Sequence, residues 1–136
     1  MKIFKFGGAS TKDADSVKNV VSVISQTGEK NLVIVVSAMG KTTNALEEVI
    51  KEYFSESGDV KSALRTVYDF HYEILKGLFF STSHPAFIDL DKIFKELKRF
   101  LETNKSKNHA FVYDQVVSFG ELISSKIISA YFLKTE

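Results

Sequence analysis

The 136-residue chain contains no cysteine and no tryptophan, one proline and seven glycines, and its 18 Lys and Arg nearly balance 17 Asp and Glu. Without cysteine there is no thiolate nucleophile, no zinc–thiolate site and no disulfide framework, although the absence itself fits any compartment. A formal charge of +1 supplies no general electrostatic pull toward nucleic acid or an anionic membrane. Long apolar runs are missing too: the longest is Leu32–Val36, far short of the roughly 20 residues of a spanning helix. At the N-terminus Lys5 and Gly7-Gly8 interrupt the chain before a signal-peptide core of about 7 to 15 apolar residues can form. A cytoplasmic protein is expected, with neither nucleic acid nor membrane as partner. What is present, 44% hydrophobic residues and 12 Phe, is the composition of an ordinary globular domain. A chain of this length buries about two-thirds of its unfolded surface and needs no covalent staple.

Two short apolar runs read as strands. Ile3, Phe4 and Phe6 are stopped by Gly7-Gly8, and Leu32–Val36 is stopped by Ser37-Ala38-Met39-Gly40. The second has no polar residue on either face, the pattern of a parallel strand covered by helices on both sides. Between them Val17, Val20, Val21 and Ile24 fall on one helical stripe, preceded by Asp13 and Asp15, which suit the positive end of a helix. The first 37 residues therefore read β-α-β. A right-handed crossover brings the C-terminal ends of both strands to one sheet edge, where open α/β sheets bind ligands.

Beyond Gly40 the pattern turns helical. Leu46, Val49, Ile50 and Tyr53 form one stripe; Val60, Leu64, Val67, His71, Leu75 and Leu78 form another; Leu90, Ile93, Phe94, Leu97 and Leu101 form a third. Breaks fall at Gly58-Asp59, Ser81–Pro85 and Asn104–Asn108. A short helix is expected near Phe111–Val117, and a separate one over Glu121–Lys134 with Leu122, Ile123, Ile127, Ala130 and Tyr131 inward. Two strands and about six helices make an incomplete sheet, since sheets average about five or six strands. The chain also stops directly after a helix, where a β-α-β protein would enter its next strand, so a truncated lobe is expected.

Three segments carry candidate chemistry. Lys5-Phe6-Gly7-Gly8-Ala9-Ser10 runs from strand through a glycine pair toward a helix. Such glycines let backbone N–H groups approach a phosphate, with Lys5 as a compact charge beside it; the alternative is a plain sharp turn with a solvated lysine. Gly40-Lys41-Thr42 after a strand imitates the end of a P-loop, but the pattern requires glycine at position 35, where Val35 stands. What remains is a polar loop with Ser37, Thr42, Thr43 and Asn44, or a helix cap made by Asn44 and Glu47. Ser118-Phe119-Gly120-Glu121 reads either as a capping box or as a carboxylate aimed at a substrate ammonium. His71, His84 and His109 lack carboxylates at metal-ligand spacing, and His71 on its apolar stripe reads as an interior residue. Phe70, Phe79, Phe80, Phe94 and Phe100 read as core or subunit interface, and Lys95, Lys98 and Arg99 as the wet face of a helix.

Taken together, the three segments resemble the aspartate kinases of the amino-acid kinase superfamily. Lys5–Ser10 resembles the K-F-G-G-[TA]-S signature, Val36–Asn44 looks like the second motif, V-S-A-x-G-x-T-[T/x]-N, and Ser118–Leu122 with Ser124-Ser125 is similar to the third, S-x-G-E-x-x-S. K-x-G-G alone is shared across the superfamily; the three in order along the whole chain are specific. The resemblance implies the N-terminal portion of the three-layer, carbamate-kinase-like α/β fold, residues 1–136 being its aspartate-side lobe. It implies transfer of the γ-phosphate of Mg-ATP to the β-carboxylate of L-aspartate, opening lysine, threonine and methionine synthesis.

By motif matching, Lys5 should stabilise phosphoryl oxygens, and Phe6, Gly7, Gly8 and Ser10 should form the ATP-phosphate turn. Ser37, Thr43 and Glu121 should hold aspartate, with Glu121 on its α-ammonium; ATP and Mg²⁺ are the implied cofactors, no metal ligand is assigned, and a homo-oligomer is expected. Ala9 stands where Thr is commoner. Family members run to several times this length, the missing part including the nucleotide-binding half and C-terminal ACT regulatory domains, so the segment alone is expected to be inactive. The rival readings are a superfamily kinase for acetylglutamate, glutamate or a nucleoside monophosphate, and a non-catalytic assembly module.

Overall fold

A computed structural model describes residues 1–135. The order is β1 (Lys2–Phe6), a single 3₁₀ turn (Gly8–Thr11), α1 (Ala14–Gln26), β2 (Leu32–Val36), α2 (Thr42–Phe54), α3 (Val60–Leu78), α4 (Pro85–Thr103) and α5 (His109–Thr135). The two strands pair in parallel, Lys2 opposite Leu32 through Phe6 opposite Val36. The β-α-β start and the α/β class are as the sequence implies.

Local chemistry explains most boundaries. Asp13 accepts from the Ser16 N–H at 2.8 Å to start α1, and Asp59 accepts from the Ser62 N–H at 3.0 Å to start α3. Past the end of α1, Gly28 takes φ +63°, the left-handed conformation that closes a helix. Pro85 sits in the first turn of α4, where its missing N–H costs nothing, and the His84 ring accepts from the Ala86 N–H at 3.1 Å.

The helices bury the stripes expected of them. One cluster joins Val17, Met39, Leu75, Leu90 and Ile123; a second joins Leu46, Val49, Val67, Leu97, Val112 and Val116. Phe94 and Phe119 touch both. Helix α5 runs along both clusters and packs on α2, α4 and α1. Phe79 is buried, whereas Phe80 is fully exposed and takes no part in the core.

Four expectations are corrected. Five α-helices are present among the described residues, not about six, because the region from 109 to 135 is one helix and no break occurs at Ser118–Gly120. Leu122, expected inward, is 43% exposed. By length and composition α5 is apolar enough to cross a membrane, unlike the short runs read from sequence; here its Val112, Val116, Ile123 and Ile127 are buried in the two clusters. Finally, among the described residues β2 is covered on one face only. Phe4, Phe6, Ile34 and Val36 are half-buried toward the helices, while Ile3, Val33 and Val35 are exposed on the other side.

Candidate functional site

The three motif-bearing segments meet at the C-terminal edge of the strand pair. Leaving β1, the chain bonds to the turn after β2 twice: Ser37 N–H donates to Phe6 O at 3.0 Å, and Gly40 N–H donates to Gly8 O at 2.9 Å. Gly8 is so close to this second turn that a Cβ there would sit 2.7 Å from both Ala38 O and Gly40 O. Gly40 has φ +53° and leaves room for the Phe70 ring, 3.1 Å from where a Cβ would lie. The third segment arrives from α5. A Cβ on Gly120 would lie 2.9 Å from Ala38 Cβ and 3.5 Å from Thr42 Cγ2, so glycine lets the helix seat directly on the turn.

Two departures from the sequence reading lie in the helices that carry these motifs. Ser118 and Glu121 are interior to α5, so the S-x-x-E pattern forms no capping box; Ser118 Oγ instead donates to Gln115 O at 2.9 Å. Asn44 and Glu47 are likewise inside α2, which begins at Thr42 with Lys41 in the cap position. The capping alternatives for both segments are thereby removed.

The expected site residues surround the junction with unequal exposure. Gly7 has nothing within 4 Å of its would-be Cβ and is open to solvent; Gly8 is half-buried and stitched to the turn. Phe6, Ser37 and Thr43 are half-buried, while Lys5, Ser10 and Glu121 are exposed. Among the described residues no salt bridge engages Lys5 or Glu121. Lys5 shares the uncovered sheet face with Ile3, Val33 and Val35, and Glu121 directly succeeds the glycine seated on Ala38. The junction is an open edge. A groove of about 930 Å³ lined by Tyr53, Arg65, Tyr68, Phe94 and Lys98 contains none of these residues.

The positive helix end also differs from expectation. Gly7-Gly8 leads into one 3₁₀ turn, and α1 begins only at Ala14, behind Asp13. Hydrogen bonds from the Ser16 side chain and N–H hold the Asp13 carboxyl below the usual carboxylate range, so an anion already occupies that helix end. Helix α2 is the opposite case. Its first turn holds no acidic residue and no side chain caps it; the Thr42 N–H donates to Met39 O at 3.0 Å and the Ala45 N–H to Lys41 O at 3.1 Å, and the partial positive charge of the helix start is left without an anion.

The sequence places Thr42 in the polar loop at this edge and gives His71 no part in it; the structure joins the two. Both are buried; Thr42 Oγ1 donates to Met39 O at 2.6 Å and lies 3.2 Å from His71 Nε2, while His71 Nδ1 donates to Val67 O at 2.7 Å. Burial pulls the His71 pKa down to about 4, against which the bond to Val67 works only in part. The sequence signal was a histidine in line with Val67 and Leu75; what it lacked was the partner 29 residues earlier.

Among the described residues no group of three or more His, Asp or Glu side chains is placed to hold a metal ion. Comparison with known proteins fits the geometry. The sequence profile of the Amino acid kinase family matches residues 1–136. Aspartokinase 1, chloroplastic, of Arabidopsis thaliana is 31% identical over 95% of this chain, and Aspartokinase 2, chloroplastic, of the same plant is 30% identical over 97%. The chain spans about a quarter of those relatives, 23% and 24% of their lengths. Among solved structures, E. coli aspartokinase III in complex with aspartate and ADP superimposes with a TM-score of 0.79 at 22% identity, covering 99% of this chain and 29% of that one. Clostridium acetobutylicum aspartate kinase gives 0.74 at 22% identity, covering 98% and 29%. With two motif turns and one motif-bearing helix meeting at the edge of a β-α-β unit and a family profile matched along its whole length, the chain belongs to the amino acid kinase family.

Proposed function

We propose that residues 1–136 form the aspartate-side lobe of an aspartate kinase, which transfers the γ-phosphate of Mg-ATP to the β-carboxylate of L-aspartate, giving 4-phospho-L-aspartate and ADP at the head of lysine, threonine and methionine synthesis. The observation that carries this reading is the convergence of the Gly7-Gly8 turn, the Ser37–Asn44 turn and the Gly120-Glu121 step of α5 at one edge. The aspartokinase relatives, including one solved with aspartate and ADP, support it.

The chemistry asks little covalent help of the protein. A carboxylate oxygen is already nucleophilic; it attacks the γ-phosphorus in line as the bond to the ADP oxygen breaks, and the protein aligns two anions and neutralises charge. Lys5 supplies a cation to the phosphoryl oxygens, and Phe6, Gly7, Gly8 and Ser10 present the backbone of the phosphate turn. The uncapped start of α2 favours the negative end of aspartate beside Ser37 and Thr43, and exposed Glu121 accepts from its α-ammonium. Magnesium enters with the nucleotide as part of the substrate. The enzyme is taken to be a cytoplasmic homo-oligomer.

Alone, these 136 residues should transfer no phosphate. The test is an aspartyl-hydroxamate assay with aspartate, ATP and Mg²⁺ on the full natural polypeptide carrying this segment, beside the 136-residue chain. Turnover is expected only from the long chain, and Lys5→Ala should cost it on the order of 100-fold in kcat. Phosphorylation of acetylglutamate, glutamate or a nucleoside monophosphate in place of aspartate would overturn the reading, as would full activity in Lys5→Ala.

A further inference from the structure

The turn that bears Ser37 and Thr43 is held from behind by a buried hydrogen-bonded chain. Thr42 is the first residue of α2, 2% exposed, and both its hydroxyl and its N–H donate to Met39 O, at 2.6 and 3.0 Å. His71, fully buried on α3, presents Nε2 to the same hydroxyl at 3.2 Å and anchors its other nitrogen on Val67 O at 2.7 Å.

Donor counting fixes the roles. Val67 O is acceptor only, so Nδ1 carries the ring proton. In the neutral ring Nε2 is then a lone pair, and the single Thr42 proton lies between two acceptors, Met39 O and Nε2, in a three-centre bond. Phe70 and Phe94 pack against the ring, and Phe70 also reaches Gly40 in the turn. A fully buried imidazole at this place does more than fill space, because an apolar side chain would leave Thr42 with no partner on α3.

We propose that His71 is a positioning residue for the substrate turn: through Thr42 it clamps Met39–Thr43 against α3 and so fixes Thr43 and the N-terminal N–H groups of α2 for an amino-acid carboxylate. The proposal rests on the aspartate kinase reading for the identity of that ligand, and on geometry alone for the clamp.

The test compares Thr42→Val, His71→Leu and His71→Gln in the full natural polypeptide, by hydrogen exchange of peptides covering residues 37–44 and by steady-state kinetics. Gln is the conservative variant, since its side-chain carbonyl can accept where Nε2 does. Thr42→Val and His71→Leu are expected to speed exchange of the turn about tenfold relative to α4, and to raise the aspartate KM about tenfold with the ATP KM unchanged. His71→Gln should recover most of both. Unchanged turn exchange in Thr42→Val overturns the clamp, and this variant suffices if His71→Leu does not fold. His71→Gln behaving like His71→Leu reduces the ring to a space filler and also overturns it. Faster exchange with an unchanged aspartate KM overturns the link to substrate. If neither parent nor variants turn over aspartate, the aspartate kinase reading fails, and the exchange result still decides the clamp.

Discussion

At the scale of single residues, the two adjacent glycines have different reasons to be glycine. Gly8 is fixed by packing: any Cβ would collide with two backbone oxygens at 2.7 Å, atoms that move only if the turn moves. Gly7, at φ −81° with open space around it, is under no such constraint. Gly8→Ala should therefore destabilise by about 1–3 kcal/mol, as overpacking against backbone does. Gly7→Ala should leave the urea midpoint unchanged or slightly raised, because it lowers the entropy of the unfolded chain. If the open face of Gly7 receives phosphate, Gly7→Ala nevertheless loses phosphoryl transfer. A stable, active Gly7→Ala would show that this glycine serves neither end.

His71 ties stability to pH in a direction set by its burial. Its folded pKa lies near 4 against 6.5 when free. Above pH 6.5 both states hold a neutral ring, and the residue exerts no pH dependence. As pH falls from 6.5 toward 4 the unfolded chain binds a proton that the folded chain refuses, so stability falls. The loss between pH 7 and pH 5 should be about 2 kcal/mol, and His71→Gln should remove that part of the slope in urea titrations at the two pH values. Identical slopes in parent and variant would mean that the ring is not held neutral.

At the scale of elements, legibility tracked pattern strength. The strands were readable as short apolar runs and the helices α1 to α4 as single buried stripes, and the signals at their ends are local: Asp59 and Pro85 start a helix, Gly28 and Asn104 end one, each acting on its immediate neighbours. Helix α5 was not readable as one piece. It is apolar on most of its circumference, with Phe111, Leu122 and Leu133 exposed as well as Ile123 and Ile127 buried, so no single stripe marks it. Its Gly120 also looks like a breaker. A mid-helix glycine costs about 1 kcal/mol against alanine, and here the close approach to Ala38, 82 positions away in sequence, offsets that cost. The apparent capping box beside it is helix interior. Of the site, the residue types were legible from the motifs, whereas the clamp of Thr42 by His71 was not, since nothing local to either residue names the other.

At the scale of the whole molecule, the dominant feature among the described residues is a two-stranded parallel sheet with helices on one face only. Parallel sheets are ordinarily buried on both faces, and a pair of strands is at the margin of independent stability. Ile3 at 63% exposure, Val33 at 42% and Val35 at 43% form an apolar strip beside Lys5. Phe80 and Leu133 are exposed as well, and a contiguous apolar strip is the kind of surface that associates. The 136-residue chain in isolation should therefore self-associate, with a sedimentation coefficient that rises with concentration in the micromolar range. Replacing Ile3, Val33 and Val35 together by threonine keeps β-branched side chains suited to strands while making the strip polar. That triple variant should sediment as a monomer at concentrations where the parent does not. A parent that stays monomeric throughout would mean that one-sided cover is enough for this sheet, and association in parent and variant alike would move the sticky surface to the exposed residues of the helices.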